Sequence, residues 1–236
     1  MSDLRSISVT PILSRMVEHL IVKDHIFSAI TPAKLYNQFW FKPTGSTTAA
    51  LVDIINTISI MLETNKYVRC LLIDFSKAFD SADHLIVINK LKALNIADNI
   101  IHWVVSFLID RNQFVKAGER WSFTKMINRS IVQGSDLGST LFTICIIDLQ
   151  PIGFSNHITK YADDCCLMVP EKCDADMLDE FQHVLNWAVT KCRRIEEWSD
   201  RFHQGPRLAH KLFDTRHLRS ETVYHWTFAA LHPYNH

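Results

Sequence analysis

Across 236 residues, 25 basic side chains balance 25 acidic ones, and 47% of positions are hydrophobic. This is an ordinary globular composition, long enough to bury a sizeable core in one or two domains. It excludes a chain that is basic throughout, and its longest apolar runs fall well short of the roughly 18 residues that cross a membrane.

In chain order, Thr10-Pro11 starts a helix on which Ile12, Leu13, Met16, Val17, Leu20 and Ile21 recur on one face. That face is expected to turn inward. Ser46 or Thr47 caps a second helix with Leu51, Ile54, Ile55, Ile58, Met61 and Leu62 on its apolar side. Val68 to Ile73 reads as a buried strand ending at Asp74. Residues 84–94 and 98–109 read as helices, with Asp80 and Asp83 expected as caps, and Phe114 to Trp121 as a hairpin.

A helix follows Gln133-Gly134, and Ile158 to Val169 forms a second hairpin with Asp163-Asp164 at its tip. Asp176 to Val189 is amphipathic, with Met177, Phe181, Leu185 and Ala188 inward. This mixed order suits an α+β fold, with an antiparallel sheet and packed helices, and not a doubly wound parallel sheet.

The start of the chain lacks a basic segment followed by an apolar one, so neither secretion nor membrane insertion is expected. Six cysteines, Cys70, Cys145, Cys165, Cys166, Cys173 and Cys192, lie mostly in or beside apolar runs, where a free thiol acts as a small hydrophobe. An intracellular, reducing setting is expected. A zinc site of Cys166, Cys173, Cys192 and a tail histidine can be drawn, yet no Cys-x-x-Cys pair anchors it, and buried thiols are the favoured reading. Acidic residues outnumber basic ones over 1–190, and the order reverses over 191–236.

Two acidic clusters carry the chemistry. The first is Leu71-Leu72-Ile73-Asp74-Phe75-Ser76-Lys77-Ala78-Phe79-Asp80, and the second is Tyr161-Ala162-Asp163-Asp164. In each, carboxylates stand at the polar end of an apolar strand, a placement that holds anionic ligands against a sheet without burying them unpaired. Two-metal phosphoryl transfer needs two or three carboxylates around ions about 3.5–4 Å apart. Asp74, Asp163 and Asp164 supply that set if the fold makes strand and hairpin neighbours.

The two clusters, with Ser130-Ile131-Val132-Gln133-Gly134-Ser135-Asp136-Leu137-Gly138-Ser139 between them, resemble motifs A, C and B of reverse transcriptases. The first reads most like the non-long-terminal-repeat (LINE-like) retrotransposon branch. Residues 5–14 and 38–48 are similar to the fingers-side segments that precede motif A. The resemblance runs from about Asp3 to about Lys191.

The resemblance implies a right-hand polymerase palm with helical fingers over residues 1–191, and an RNA-directed DNA polymerase that adds dNTPs to a primer 3′-hydroxyl. It implies Asp74, Asp163 and Asp164 as catalytic metal ligands for two Mg2+ ions, or Mn2+, arriving with the nucleotide. Phe75 offers a backbone carbonyl, Phe79 an aromatic gate against the ribose 2′-hydroxyl, and Gln133 and Gly134 contacts to template and nucleotide. Lys42 falls near the triphosphate, and Lys160 is expected to be structural. RNA template, DNA primer and dNTPs are the implied partners.

Some positions depart from the family pattern: Ser6 where proline is common, Trp40 where glycine is usual, and Ser139 where proline usually follows Leu-Gly. No thumb, endonuclease or ribonuclease H segment is recognisable. Residues 192–236 are expected to be a divergent tail, frame-shifted or disordered. A second reading is therefore an inactive retroelement remnant that keeps the palm fold, with at most weak nucleic-acid or protein binding.

Overall fold

The computed structural model describes residues 10–42, 44–75, 78–127, 129–192 and 226–231. Helix α1, Ile12–Ile21, starts after Pro11 and continues through a π-helical turn, Val22–Ile26. Helix α2, Thr47–Leu62, is capped by the Ser46 hydroxyl, which accepts from the Ala49 amide at 3.0 Å. Strand β1 is Val68–Asp74, and α3, Ala78–Ser81, is a single helical turn. Helix α4, His84–Ala93, is capped by Asp83, whose carboxylate accepts from Leu85 at 2.9 Å and Ile86 at 3.4 Å, and α5 spans Asp98–Leu108. Asp80 does not share this cap: its carboxylate accepts instead from the Ser130 hydroxyl at 3.4 Å.

Two small antiparallel pairs follow, β2 (Arg111–Gln113) with β5 (Lys125–Ile127), and inside it β3 (Lys116–Ala117) with β4 (Arg120–Trp121). The expected hairpin is thus the inner part of a longer one. Helix α6 is Asp136–Cys145, β6 is His157–Tyr161, β7 is Asp164–Pro170 and α7 is Met177–Cys192. Within the region set apart as a tail, Trp226–Leu231 forms strand β8.

The main sheet has the order β6-β7-β1-β8, antiparallel throughout. Period-two alternation divides its side chains between two faces. Leu71, Ile73, Cys165, Leu167 and Val169 join the large core with residues of α4, α5, α6 and α7. Val68, Cys70, Cys166 and Met168 face the other way, under Ile54, Ile58, Met61 and Leu62 of α2. Leu72, on this second face, is 44% exposed, so α2 leaves the Asp74 end of that face open.

The structure corrects the inner faces of α1 and α2 and widens that of α7. On α1 the stripe expected inside is outside: Ile12, Leu13, Met16, Val17 and Leu20 are all exposed, while Glu18 is fully buried. A polar contact decides this, because Glu18 accepts from the Leu137 amide (3.4 Å) at the start of α6, where helix N–H groups lack intrahelical partners. On α2, Leu51 and Ile55 are exposed and the inner face is centred on Ile54 and Ile58. On α7 the expected Met177 and Ala188 are buried and Phe181 packs against the core, and Glu180, Val184 and Trp187 join them; Glu180 accepts from Gly153 and Asn156, each at 2.7 Å, and ties down the preceding loop.

Candidate active site

Asp74 and Asp164 are direct cross-strand partners at the open end of β1 and β7. Directly opposite residues hold their Cβ atoms roughly 4.5–5.5 Å apart on one face. Tyr161 and Asp164 are likewise paired, which leaves Ala162-Asp163 as a two-residue turn. Ala162 takes a φ of 57°, a left-handed conformation uncommon for a side chain with a Cβ, and so presents Asp163 at the tip. Residues 74 and 164, ninety positions apart, thus meet through hairpin register.

Among the described residues, no three His, Cys, Asp or Glu side chains are gathered into a ready-made metal set. The zinc arrangement drawn from the sequence needs Cys192 and a tail histidine, whose side chains lie outside the described residues; Cys145, Cys165 and Cys166 are buried thiols and Cys173 is a partly exposed one. The three aspartates do fit magnesium by donor chemistry. They are hard oxygen donors at one sheet end, and Mg2+ is usually held by one or two carboxylates plus substrate phosphates and water, not by an all-protein cage.

The hairpin rests on a buried cation. Lys160 is fully buried, and its Nζ donates to the carbonyls of Ile146 at 3.1 Å and Leu149 at 3.0 Å. Burial pulls its pKa down to about 8, against the attraction of Cys165 and Asp148. Burial likewise pushes the neighbouring Cys165 thiol up to about 12. Lys160 thereby tethers β6 to the end of the α6 segment, a structural role as expected.

Motifs A and B are joined by backbone. Ile131 donates to the Phe79 carbonyl at 2.8 Å, Ser130 to that of Ala82 at 3.1 Å, and the His84 ring to the Ser130 carbonyl at 2.9 Å. Gln133 is half-buried in the turn before α6, and Gly134 has a φ of 98°, open to glycine at little cost. Gly138 is demanded by space: a Cβ there would lie 2.0 Å from the Val132 carbonyl oxygen. The Ser135 hydroxyl closes the turn by accepting from Gly138 at 2.8 Å.

Phe75 is buried, with its ring tilted against Trp187 at 5.6 Å. Its carbonyl accepts from the Ala78 amide at 3.1 Å. The half-buried Phe79 ring stacks on Phe142 at 4.6 Å and meets Trp40 edge-on at 5.8 Å. Lys42 donates to the Leu35 carbonyl at 3.4 Å and lies over the Phe39 ring at 4.5 Å, so its ammonium is engaged within its own loop. Glu18 and Trp40 are the neighbours that motif reading undervalued; the signal for Trp40 was the aromatic run Phe39-Trp40-Phe41.

A family model described as reverse transcriptase (RNA-dependent DNA polymerase) matches residues 1–196. The chain belongs to the reverse transcriptase family. It is 29% identical over 197 residues to an RNA-directed DNA polymerase from mobile element jockey of Drosophila funebris, covering 78% of this chain and 21% of that protein. It is 26% identical over 200 residues to a probable RNA-directed DNA polymerase from transposon BS of Drosophila melanogaster, covering 80% of this chain and 22% of that one. These mobile-element relatives bear out the LINE-like resemblance, and this reverse transcriptase domain spans about a fifth of their length.

Among solved structures, the fold is similar to telomerase from Candida albicans in complex with a telomeric RNA fragment (TM-score 0.51, 13% identity, 75% of this chain and 31% of that chain). It is also similar to telomerase from Candida tropicalis (TM-score 0.53, 14% identity, 73% and 30%). At these identities the likeness concerns the fold, a polymerase-like antiparallel sheet with packed helices. No helix among the described residues is long and apolar enough to cross a membrane.

Proposed function

We propose that this reverse transcriptase domain acts as an RNA-directed DNA polymerase, extending a DNA primer with dNTPs on an RNA template. The observation that carries the reading is the pairing of Asp74 with Asp164 beside the turn that presents Asp163. Asp74, Asp163 and Asp164 would hold Mg2+, assisted by the Phe75 carbonyl. When bound, such ions supply Lewis acidity to in-line attack of the primer 3′-hydroxyl on the α-phosphate.

The chain's own residues position the reactants, which is where most of the rate of phosphoryl transfer arises. The Phe79 ring narrows the space beside the sugar and selects deoxynucleotides. Gln133 and Gly134 bring the turn before α6 close to the template base and the nucleotide. Lys42 reaches a triphosphate by giving up its bond to the Leu35 carbonyl. The sheet with α3 to α7 forms the palm and the helical residues 10–62 the fingers, and residues 192–236 are a divergent segment whose Trp226–Leu231 completes the sheet beside β1.

Primer extension on poly(rA)/oligo(dT) with dTTP and Mg2+ tests the reading. Wild type extends, and Asp163→Asn is silent while its thermal melt is unchanged. Equal extension by both proteins overturns the assignment of Asp163, and silence from a folded wild type overturns polymerase activity for this chain.

A further inference from the structure

We propose that Trp40 is a positioning residue for the Phe79 gate and so sets sugar discrimination; this rests on the polymerase reading above. Phe79 sits on α3, a helix of only four residues, Ala78–Ser81. A single helical turn holds itself weakly, so the direction of this ring depends on its neighbours. Two aromatic rings fix it. Phe142 of α6 lies nearly parallel to it, at 4.6 Å and 22°, and Trp40 stands perpendicular, at 5.8 Å and 90°. One contact stops tilting and the other stops sliding off the stack, because stacked and edge-on pairs are the two favoured aromatic geometries.

Trp40 is suited to this task because its own backbone is held by the catalytic hairpin. Lys160 donates to the Asn37 carbonyl and Phe39 donates to the Lys160 carbonyl, both at 2.8 Å, so residues 37–39 lie along β6. The Trp40 amide donates to the Gln38 side chain at 3.1 Å. Phe41 then turns the chain away with a φ of 50°, a strained conformation for a bulky residue that persists only where its surroundings enforce it. The Trp40 indole also approaches Tyr161, the residue before the aspartate turn, at 6.4 Å. One side chain therefore spans from the gate to the hairpin that carries Asp163 and Asp164.

The test compares wild type with Trp40→Ala, Trp40→Leu and Trp40→Phe, using dUTP and UTP, which differ only at the 2′ position and both pair with poly(rA). Two readouts are taken: the ratio of kcat/KM for the two nucleotides in extension, and the ratio of their equilibrium affinities for the protein with poly(rA)/oligo(dT) and Mg2+. Trp40→Ala lowers the dUTP preference about tenfold, the size of effect that one aromatic pair contact carries. Trp40→Phe keeps most of it. Trp40→Leu retains apolar volume without a flat ring and behaves as Trp40→Ala; it supplies the reading if the alanine variant does not fold.

An unchanged ratio in the folded alanine or leucine variant overturns the inference and leaves Trp40 as packing. A wild type that fails to extend but binds dUTP over UTP overturns the polymerase reading, and the affinity ratio in the variants then decides the role of Trp40. A wild type that binds both nucleotides alike, or neither, overturns the inference, since there is no gate to position.

Discussion

Replacing Lys160 with methionine keeps most of the side-chain volume beneath the aspartate hairpin and removes its charge. The fall of its pKa from 10.5 to about 8 corresponds to about 3 kcal/mol set against the charged form in the folded state. The sign follows from proton counting. Below about pH 8 folded and unfolded chains both carry the proton, and the penalty is present in full. Between about 8 and 10.5 the folded chain loses the proton while the unfolded chain keeps it, so stability rises with pH.

This site contributes a gain of about 1 kcal/mol from pH 7 to pH 9. Cys165 works in the opposite direction above about pH 9: its thiol is pushed up to about 12, so the unfolded chain ionises first and stability falls. The useful window therefore closes near pH 9. At pH 7, Lys160→Met also forfeits the bonds to the Ile146 and Leu149 carbonyls, each worth about 1.5–3 kcal/mol when charge-assisted, so the slope is a cleaner readout than the absolute stability. Urea unfolding of both proteins at half-unit steps from pH 7 to 9 gives the two slopes. The wild type gains about 1 kcal/mol relative to the variant; parallel slopes would refute the buried-cation argument.

Substitutions at three other positions probe the supports of the site. Gly138→Ala drives a Cβ toward the Val132 carbonyl oxygen, so the turn bearing Gln133 has to shift; a lower melting temperature together with a raised KM for template-primer is expected. Ala162→Gly relieves the positive φ at the hairpin tip and raises stability by about 1 kcal/mol in urea unfolding, with Asp163 still in register. Burial raises the pKa of Glu18 despite its bond to the Leu137 amide, so stability from this group falls as pH climbs through the unfolded value of 4.5 toward the higher folded one. Glu18→Gln removes that fall in a pH series of urea midpoints, whereas Glu18→Ala loses the acceptor at the start of α6 and costs about 1 kcal/mol.

Much of the fold was legible because its signals are local. Val68 to Ile73 is a mostly apolar run that ends at a carboxylate, Tyr161 to Asp164 fits a two-residue turn, and Ser46 and Asp83 are cap residues at true helix starts. What escaped the sequence was long-range. The α1 apolar stripe looked like an inner face because nothing local reveals that Glu18 meets an amide 119 positions away. The inner face of α7 was read correctly at Met177, Phe181 and Ala188, but Glu180 within it was not foreseen, since it is buried by bonds to the distant Gly153 and Asn156. β8 was missed although Trp-Thr-Phe has strand-forming residues, because no neighbouring pattern marks it as a partner of β1. Within the site, the need for the Asp74 strand and the aspartate hairpin to be neighbours followed from the carboxylate set, while the Asp74–Asp164 register, the contacts of Trp40 and the engagement of Lys42 by Leu35 depend on tertiary packing.

The central claim is that β1 and the β6–β7 hairpin build one catalytic centre, and a double-mutant comparison addresses it most directly. Extension rates on poly(rA)/oligo(dT) are measured for wild type, Asp74→Asn, Asp164→Asn and the combined variant, each confirmed as folded. Groups that act as a unit are strongly non-additive, so each single variant should lose nearly all activity and the double variant should lose little more. Independent, multiplying losses, or an Asp74→Asn protein that extends like the wild type, would contradict the account.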